Sequence, residues 1–416
     1  MNAFGIFALQ YILNLKVLSP ILTIGMVLLF FGCKRPSPQL KSGQYTIHFH
    51  IDEIDIPVRL HVTDSTWNIL NATEVISVKP HFLGADSFFV EMPLFHTYLA
   101  GHVTSDTTIS GFWSDPTRPN NKSIALDISP RSAPIAEMPT SIEESIWECH
   151  FSPNDPENYS RAIGLFKNHN GHMHATFMTE TGDYRFLEGN NTGESMELSC
   201  FDGTHLFYFC ANVHGDSLTD GHFLSGNTWE ESWYGIRNPE AVLRHPDSLT
   251  TLKDGNPFRF QAMDTKQKTV EFDSTDFLNK VTIVQIFGSW CPNCTDESKF
   301  LKEMHGAYSN KGLQIIPVAF EREASIQDQL FRIQRQFNDL SLPYPPYLGG
   351  TSPKTTAEKV FPQLNHVISY PTAIIIDKKG KVRKIHTGFY GPGTGQHYQR
   401  HKEMLTLFVE KLLDES

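Results

Sequence analysis

The chain is short of positive charge and has no basic run. Its 416 residues hold 35 lysines and arginines against 46 aspartates and glutamates, a formal net charge of −11 at pH 7. Because phosphate binding needs clustered cations, this balance argues against a nucleic-acid partner. The apolar content of 40% and charged content of 19% are typical of a globular chain, and the length predicts two or three domains.

The N-terminal apolar stretch, Val17 to Phe31, has about 15 residues, whereas a membrane-spanning helix needs about 20. Phe30-Phe31-Gly32-Cys33 resembles a bacterial lipoprotein signal with acylation of Cys33, although a small residue is usual where Phe31 stands. The alternative is an uncleaved anchor, lengthened by apolar residues before Lys16. We therefore expect a lipoprotein signal peptide over residues 1–32, a tether over 33–43 and an exported remainder.

Cysteine is scarce, with six residues in the chain. If Cys33 carries lipid, five remain for a compartment in which disulfides persist. Cys200 and Cys210 flank the turn-like FDGTH, so they form either a bridge across a hairpin or two buried free thiols, and Cys149 has no obvious partner. The cysteine count is therefore informative only for the C-x-x-C pair at residues 291–294.

Residues 44–245 lack any long segment of helical periodicity and alternate as strands do, with turn residues every 8–12 positions. PHFLGADSFFV from Pro80 resembles SCFDGTHLFYF from Ser199, and each is followed by a glycine–aromatic step. We therefore expect two repeated meanders, about 44–135 and 140–245. Together they would form one β sandwich or barrel, since closing two sheets on each other removes their exposed edges.

A polar linker, residues 246–255, separates this β-rich domain from a region in which strands alternate with helices. The pattern predicts an α/β domain with a mixed sheet over residues 256–416, and the whole chain as an α+β multidomain protein. The predicted strands cover 281–287, 313–320, 372–377 and 381–386, and the predicted helices cover 296–308, 324–337 and 404–413.

The C-x-x-C pair follows a buried strand and opens a helix. A helix N-terminus presents unsatisfied N–H groups and lowers the pKa of a thiolate, so Cys291 is the expected nucleophile and Cys294 the resolving thiol. A zinc site would need further ligands at suitable spacing, but there is no second C-x-x-C, and His305 is isolated. A structural disulfide closing so short a loop would contribute little stability, so a redox pair is favoured.

Residues 256–416 resemble the exported, membrane-tethered TlpA/ResA-type thiol–disulfide oxidoreductases, which have a thioredoxin fold. The matching residues are Val284 to Cys294, Glu297, Ser369-Tyr-Pro-Thr372 and Asp377-Lys-Lys-Gly380. The resemblance implies a cis-proline at Pro371 facing the cysteines, a Tyr370 backbone that pairs with substrate, and a Trp290 that shields the sulfurs and contacts substrate. The β-rich region resembles, more weakly, the N-terminal β modules of Bacteroidetes-like exported proteins.

One departure from thioredoxin concerns the proton acceptor. Thioredoxins carry a buried aspartate six residues before the first cysteine, and Gln285 stands there. The resemblance to the ResA-like branch implies that Glu297 helps to deprotonate Cys294, whereas the alternative is a solvated acid in the first helical turn. Asp296 is expected to be only such an acid. Both charges would raise the pKa of the thiols and favour reduction.

These features predict a lipid-anchored disulfide reductase of the periplasm or cell envelope, with disulfide-bonded protein clients and a thiol–disulfide electron donor in the membrane. No cofactor or metal is expected. A binding or scaffold role of the β-rich domain, with an accessory redox domain, is the alternative, and an isomerase is a third. A peroxiredoxin would need a threonine three residues before its reactive cysteine. Gly288 stands at that position, so this class of enzyme is not predicted.

Two further patterns are weaker. His169, His172 and His174 are interpreted as a polar strand edge rather than a metal site, although His172 and His174 would share one face of a strand. The glycines at 391, 393 and 395 lack the strand–turn–helix order of a dinucleotide site and predict a loop.

Overall fold

The computed structural model describes residues 40–415 except 85, 96, 118–122, 132–143 and 254–256. The predicted signal peptide, the acylated Cys33 and most of the predicted tether lie outside the described residues. Within the described ranges, no helix combines the length and the apolar character needed to cross a membrane. The described residues group as one compact unit, in which two β modules precede an α/β domain.

The first module, residues 43–130, is an antiparallel sheet of nine strands in the order β4-β3-β2-β1-β9-β8-β7-β6-β5. The pairing of β1 with β9 joins two meanders, one of β1–β4 and one of β5–β9. We call it the sheet module. Its strands are β1 (Gly43–Ile51), β2 (Ile54–Val62), β3 (Trp67–Asn71), β4 (Glu74–Val78), β5 (His81–Leu83), β6 (Ser87–Glu91), β7 (Tyr98–Val103), β8 (Ile109–Ser114) and β9 (Ile124–Pro130).

The second module, residues 145–237, is a closed barrel of eight antiparallel strands in sequence order. We call it the barrel module. Its strands are β10 (Ser145–Phe151), β11 (Ser160–His169), β12 (His172–Thr179), β13 (Leu187–Asn191), β14 (Ser195–Phe201), β15 (Leu206–His214), β16 (Ser217–Ser225) and β17 (Trp229–Arg237). Side chains fill the interior, as in other small barrels, and the rings of Phe177 and Phe209 stack there at 4.6 Å.

The expectation of one larger sandwich or barrel built from both halves is wrong. The second half closes on itself because β10 pairs with β17, so it needs no strands from the first half. The two modules instead pack through apolar side chains on the outside of the barrel. Phe201 of β14 lies 4.8 Å from Phe49 and 5.2 Å from Trp113, measured between ring centroids. The two similar sequence segments each form a hairpin, β5–β6 and β14–β15, within different topologies.

The C-terminal domain has a mixed sheet of seven strands in the order β19-β18-β22-β21-β20-β23-β24, which confirms the predicted α/β character. Every residue of its central strand, Val281–Phe287, is buried, as expected for a strand covered on both faces. The elements are β18 (Phe260–Met263), β19 (Thr269–Phe272), α1 (Ser274–Phe277), β20 (Val281–Phe287), α2 (Pro292–Tyr308), β21 (Leu313–Glu321), α3 (Ile326–Leu340), β22 (Tyr347–Thr351), α4 (Lys354–Val360), β23 (Thr372–Ile376), β24 (Val382–Thr387) and α5 (Gln396–Asp414).

The predicted linker packs on this domain over the residues that the structure describes. Leu252 forms an antiparallel bridge with Leu364, and the Asp247 carboxylate contacts His386 at 2.7 Å and Lys384 at 3.0 Å. The segment therefore runs along the C-terminal domain rather than free between two bodies, and the predicted domain limits stay a prediction.

Among the described residues, the three cysteines outside the C-x-x-C are free thiols, which decides between the two alternatives for Cys200 and Cys210. Cys200 lies opposite Phe207 and belongs to the core inside the barrel, whereas Cys210 lies opposite Glu197 and packs towards the sheet module. The two side chains thus face opposite sides of the barrel wall. Cys149 is also free and fully buried.

Candidate active site

The C-x-x-C pair lies between the end of β20 and the start of α2. Cys291 is the N-cap of α2, and its Sγ accepts a hydrogen bond from the backbone N–H of Cys294 at 3.2 Å. Cys291 and Cys294 are joined by a disulfide. Pro292 occupies the first helical position, where its lack of an N–H costs nothing. Cys294 is fully buried and Cys291 is 7% exposed, so Cys291 is the sulfur that a substrate can reach.

The loop before β23 faces this disulfide. The peptide bond between Tyr370 and Pro371 is cis, and the Tyr370 carbonyl oxygen lies 3.7 Å from Cys291 Sγ. The structure thus brings Tyr370 and Pro371 next to Cys291, from which they are about eighty positions away in the sequence. An incoming extended chain could pair with the backbone at Tyr370 while its sulfur approaches Cys291.

Trp290 lies beside the same two elements. Its indole N–H donates to the Phe320 carbonyl at 2.9 Å, and its ring stands edge-on to Tyr370 with centroids 5.9 Å apart. The guanidinium of Arg322 covers the Trp290 ring at 4.1 Å, a favourable cation–π distance. The tryptophan is therefore held in place next to the reactive sulfur.

Glu297 is buried in the first turns of α2, not solvated. Gln285 of β20 donates to its carboxylate at 2.8 Å and to the Ser298 hydroxyl at 3.1 Å. Burial raises the pKa of Glu297 to about 8, against the smaller lowering effect of the Gln285 hydrogen bond. A carboxyl with this pKa can exchange protons with a thiol near neutral pH. The alternative of a solvated acid is thereby wrong for Glu297.

Asp296 is also not a solvated acid. It is buried and forms an ion pair with Arg185, from the loop between β12 and β13 of the barrel module. Arg185 also contacts Glu74 of the sheet module at 3.0 Å and Asp202 at 3.6 Å. Burial opposes the charge of Arg185, but the surrounding carboxylates outweigh it and raise its pKa. Asp296 therefore links the helix of the cysteine pair to both β modules, and its charge is compensated.

Sequence reasoning missed a second buried acid, Glu321, at the end of β21. Its carboxylate accepts hydrogen bonds from the backbone N–H of Ser289 at 2.9 Å and from the Ser289 hydroxyl at 2.6 Å. Burial raises the pKa of Glu321 to about 7. The acid thus holds the loop that precedes Cys291. A glutamate directly after a buried apolar strand was the available signal.

The histidine cluster lies elsewhere, in the wall of the barrel module. His172 and His174 of β12 and Glu188 of β13 bring their ligand atoms within 4.8 Å of one another. Burial lowers the pKa of His174 to about 4. Because the barrel is closed, the interpretation as a strand edge is wrong. Arg59 forms an ion pair with the same Glu188 carboxylate, which leaves that group already engaged by a cation.

Comparison with known proteins supports one family for the C-terminal domain. Residues 255–385 match the model of the AhpC/TSA family. Thiol-disulfide oxidoreductase ResA of Bacillus thuringiensis subsp. konkukian is 31% identical over 124 residues, which are 30% of this chain and 62% of that protein. ResA of Geobacillus thermodenitrificans is 26% identical over 114 residues, or 27% and 58% of the two chains. The chain thus spans about three-fifths of the length of these relatives.

Among solved structures, a thiol:disulfide interchange protein of the thioredoxin family from Chlorobium tepidum is 18% identical. It has a TM-score of 0.28 and covers 39% of this chain and 99% of its own. By its match to the AhpC/TSA model and its similarity to the ResA proteins, the C-terminal domain is similar to the TlpA/ResA-like proteins of the thioredoxin family.

Proposed function

We propose that the protein is a thiol–disulfide oxidoreductase that reduces substrate disulfides through Cys291 and Cys294. The observation that carries the proposal is the disulfide of these two residues at the N-terminus of α2, beside the Tyr370 carbonyl. The similarity to proteins named thiol-disulfide oxidoreductase supports it. No metal or cofactor takes part in the proposed reaction.

The reaction starts from the reduced pair. The Cys291 thiolate attacks one sulfur of the substrate disulfide, that S–S bond breaks, and the second substrate sulfur leaves as a thiolate that takes a proton. The Cys294 thiolate then attacks Cys291 Sγ and releases the first substrate sulfur as a thiolate, which takes a proton. Two electrons pass from the protein to the substrate, and the Cys291–Cys294 disulfide forms.

Glu297 is the proposed proton acceptor for Cys294, since its raised pKa matches that of a thiol and Gln285 cannot titrate. A membrane thiol–disulfide donor would return the protein to its dithiol form. The lipoprotein-like sequence at Cys33 supports anchoring in the cell envelope, with disulfide-bonded proteins as clients. Cys33 lies outside the described residues, so the proposed anchoring rests on the sequence around it.

The test is reduction of glutathione disulfide by the protein with dithiothreitol as donor. Cys291→Ser should abolish the reaction, and Cys210→Ser, at a half-buried thiol remote from the pair, should leave it unchanged. Equal activity of wild type and Cys291→Ser would refute the proposal. The equilibrium reduction potential sets the direction, since a potential near roughly −120 mV would indicate an oxidase instead.

A further inference from the structure

The loop between β12 and β13, residues 180–186, lies against the redox face of the C-terminal domain. The Thr181 carbonyl accepts a hydrogen bond from the Ser369 hydroxyl at 3.3 Å, next to Tyr370. The Asp183 carboxylate accepts one from the backbone N–H of Gly391. The barrel module therefore touches two of the loops that surround the cysteine pair.

The contact is too close to admit a substrate beneath the loop. A Cβ at Gly182 would lie 2.1 Å from Asn293 Nδ2, and one at Gly388 would lie 2.7 Å from the Thr181 carbonyl. Real Cβ atoms do not approach so closely. Asn293 belongs to the C-x-x-C itself, so the loop occupies part of the surface beside Cys291.

What remains is a cleft of about 630 Å³ between the barrel module and the cysteine pair. Tyr159, Ser160 and Phe207 lie on its barrel side, and Trp290, Cys291 and Tyr370 on the other. Cleft volumes of about 300–1,000 Å³ are usual for ligands of small-molecule size, whereas a stable protein–protein contact covers a much broader surface.

The two arginines that line the cleft on the barrel side are each paired with a carboxylate. Arg161 contacts Glu148, and Arg244 contacts Glu180 through two hydrogen bonds. The wall thus offers aromatic faces rather than a net charge, and the Tyr159 side chain is 45% exposed. Aromatic faces of this kind favour apolar or planar groups next to the reacting sulfur.

We propose that this cleft is the substrate site, and that it takes a disulfide carried on a narrow, peptide-sized group. The group is a free short peptide or an unfolded chain segment, and a disulfide in a rigid folded surface is excluded. The proposal rests on the proposed function. The Cys291 thiolate attacks the substrate disulfide in the cleft with the electron balance given above, and the leaving thiol exits by the same opening.

The experiment fills the cleft from the barrel side, away from the cysteines. Ser160 is exposed at the start of β11, so Ser160→Trp adds bulk to the cleft without entering a core. As a control, Ser110→Trp places the same side chain at an exposed position of β8 in the sheet module. The reduced full chain is mixed with three probes: glutathione disulfide, a 15-residue unstructured peptide in mixed disulfide with glutathione, and folded ribonuclease A. The rate of Cys291–Cys294 disulfide formation is measured by tryptophan fluorescence.

Wild type should react with the peptide at least tenfold faster than with folded ribonuclease A. Ser160→Trp should slow at least one of the two small probes tenfold or more, and Ser110→Trp neither. Slowing of glutathione disulfide alone identifies a free small disulfide, and slowing of the peptide identifies a chain segment. The equilibrium reduction potential should be the same in all three proteins. A second variant, Tyr159→Ala, should raise the KM for the affected probe with kcat unchanged.

Two results would overturn the inference: equal rates for folded ribonuclease A and the peptide, or unchanged rates for both small probes in folded Ser160→Trp together with an unchanged KM in Tyr159→Ala. Failure of the reduced wild type to react with any of the three probes would instead contradict the proposed function itself.

Discussion

The side-chain amide of Gln285 donates a 2.8 Å hydrogen bond to Oε2 of Glu297, and both side chains are buried. The amide cannot accept a proton from the carboxyl, so Glu297 is the titrating member of the pair. Burial raises its pKa to about 8, close to the ordinary pKa of about 8.5 for a cysteine thiol. Two groups with matched pKa values exchange a proton at little cost in free energy.

Glu297→Gln should slow the second step of the reaction. Glutamine keeps the size of the side chain but cannot take the Cys294 proton, so we expect a loss of about 10²-fold in rate, within the range of general acid–base catalysis. The measurement is single-turnover oxidation of the reduced protein between pH 6 and 9. Glu303→Gln, on the exposed side of α2, is the control and should keep the wild-type profile. An unchanged pH profile in Glu297→Gln would exclude the proton-transfer role.

The same carboxyl should make the stability of the oxidised protein depend on pH. The pKa of Glu297 is raised from 4.5 to about 8 by burial, so the folded state holds a proton that the unfolded state releases above pH 4.5. The contribution of Glu297 to the free energy of unfolding is therefore fully present below that pH and is lost as pH rises to about 8, by up to about 1.4 kcal/mol per pH unit. Glu297→Gln lacks this loss, so its urea midpoint should fall less between pH 5 and 8. Parallel curves for the two proteins would contradict the assignment.

Much of the C-terminal domain could be predicted because its signals are local. The strand Val281–Phe287 has the predicted limits. All seven of its residues are buried, so the segment is nearly continuously apolar and can be recognised as a strand from the sequence alone. The placement of Cys291 at the helix start follows from the same local order of strand, cysteine pair and helix. The roles of Tyr370 and Pro371 could be assigned only from the resemblance to a known family, because no neighbouring residue in the sequence indicates that they lie next to Cys291.

The features that could not be predicted depend on contacts across modules. Arg185 and Asp296 are 111 residues apart, and neither has a neighbour in sequence that marks it as buried. The helix dipole stabilises an acid in the first turn of a helix without any further partner, so the position of Asp296 in the sequence offered no reason to expect an ion pair. Closure of the barrel is likewise decided by the register of β10 with β17, which strand alternation alone does not contain.

Cys294→Ser should trap substrates on Cys291. Without the resolving thiol, the mixed disulfide formed in the first step has no internal attacker and accumulates. Mass spectrometry after mixing with glutathione disulfide should show one glutathione per chain, attached at Cys291. The control is Cys291→Ser, which should trap little because Cys294 is fully buried. Equal trapping by both variants would reverse or remove the proposed roles.

Arg185→Met should destabilise the protein strongly. The methionine keeps much of the length of the side chain but leaves the buried carboxylates of Asp296, Glu74 and Asp202 without their cation, and breaking a buried ion pair costs about 3–5 kcal/mol. Arg237→Met, which breaks an exposed pair with Asp216, should cost less than about 1 kcal/mol. Urea unfolding followed by circular dichroism compares the two. Equal losses in both variants would show that the Arg185 contacts contribute no more than a surface pair.

The thiols outside the redox pair should be counted directly, in the oxidised chain with Cys33→Ser. Burial raises the pKa of Cys149 and Cys200, and also that of the half-buried Cys210, so none is a ready thiolate at neutral pH. With Ellman's reagent the native protein should react slowly and at Cys210 first, whereas the unfolded oxidised protein should show three thiols and the unfolded reduced protein five. A single thiol in the unfolded oxidised protein would mean that two of these cysteines are bridged. Cys200 and Cys210 face opposite sides of the barrel wall, so such a bridge would require β14 or β15 to change its register.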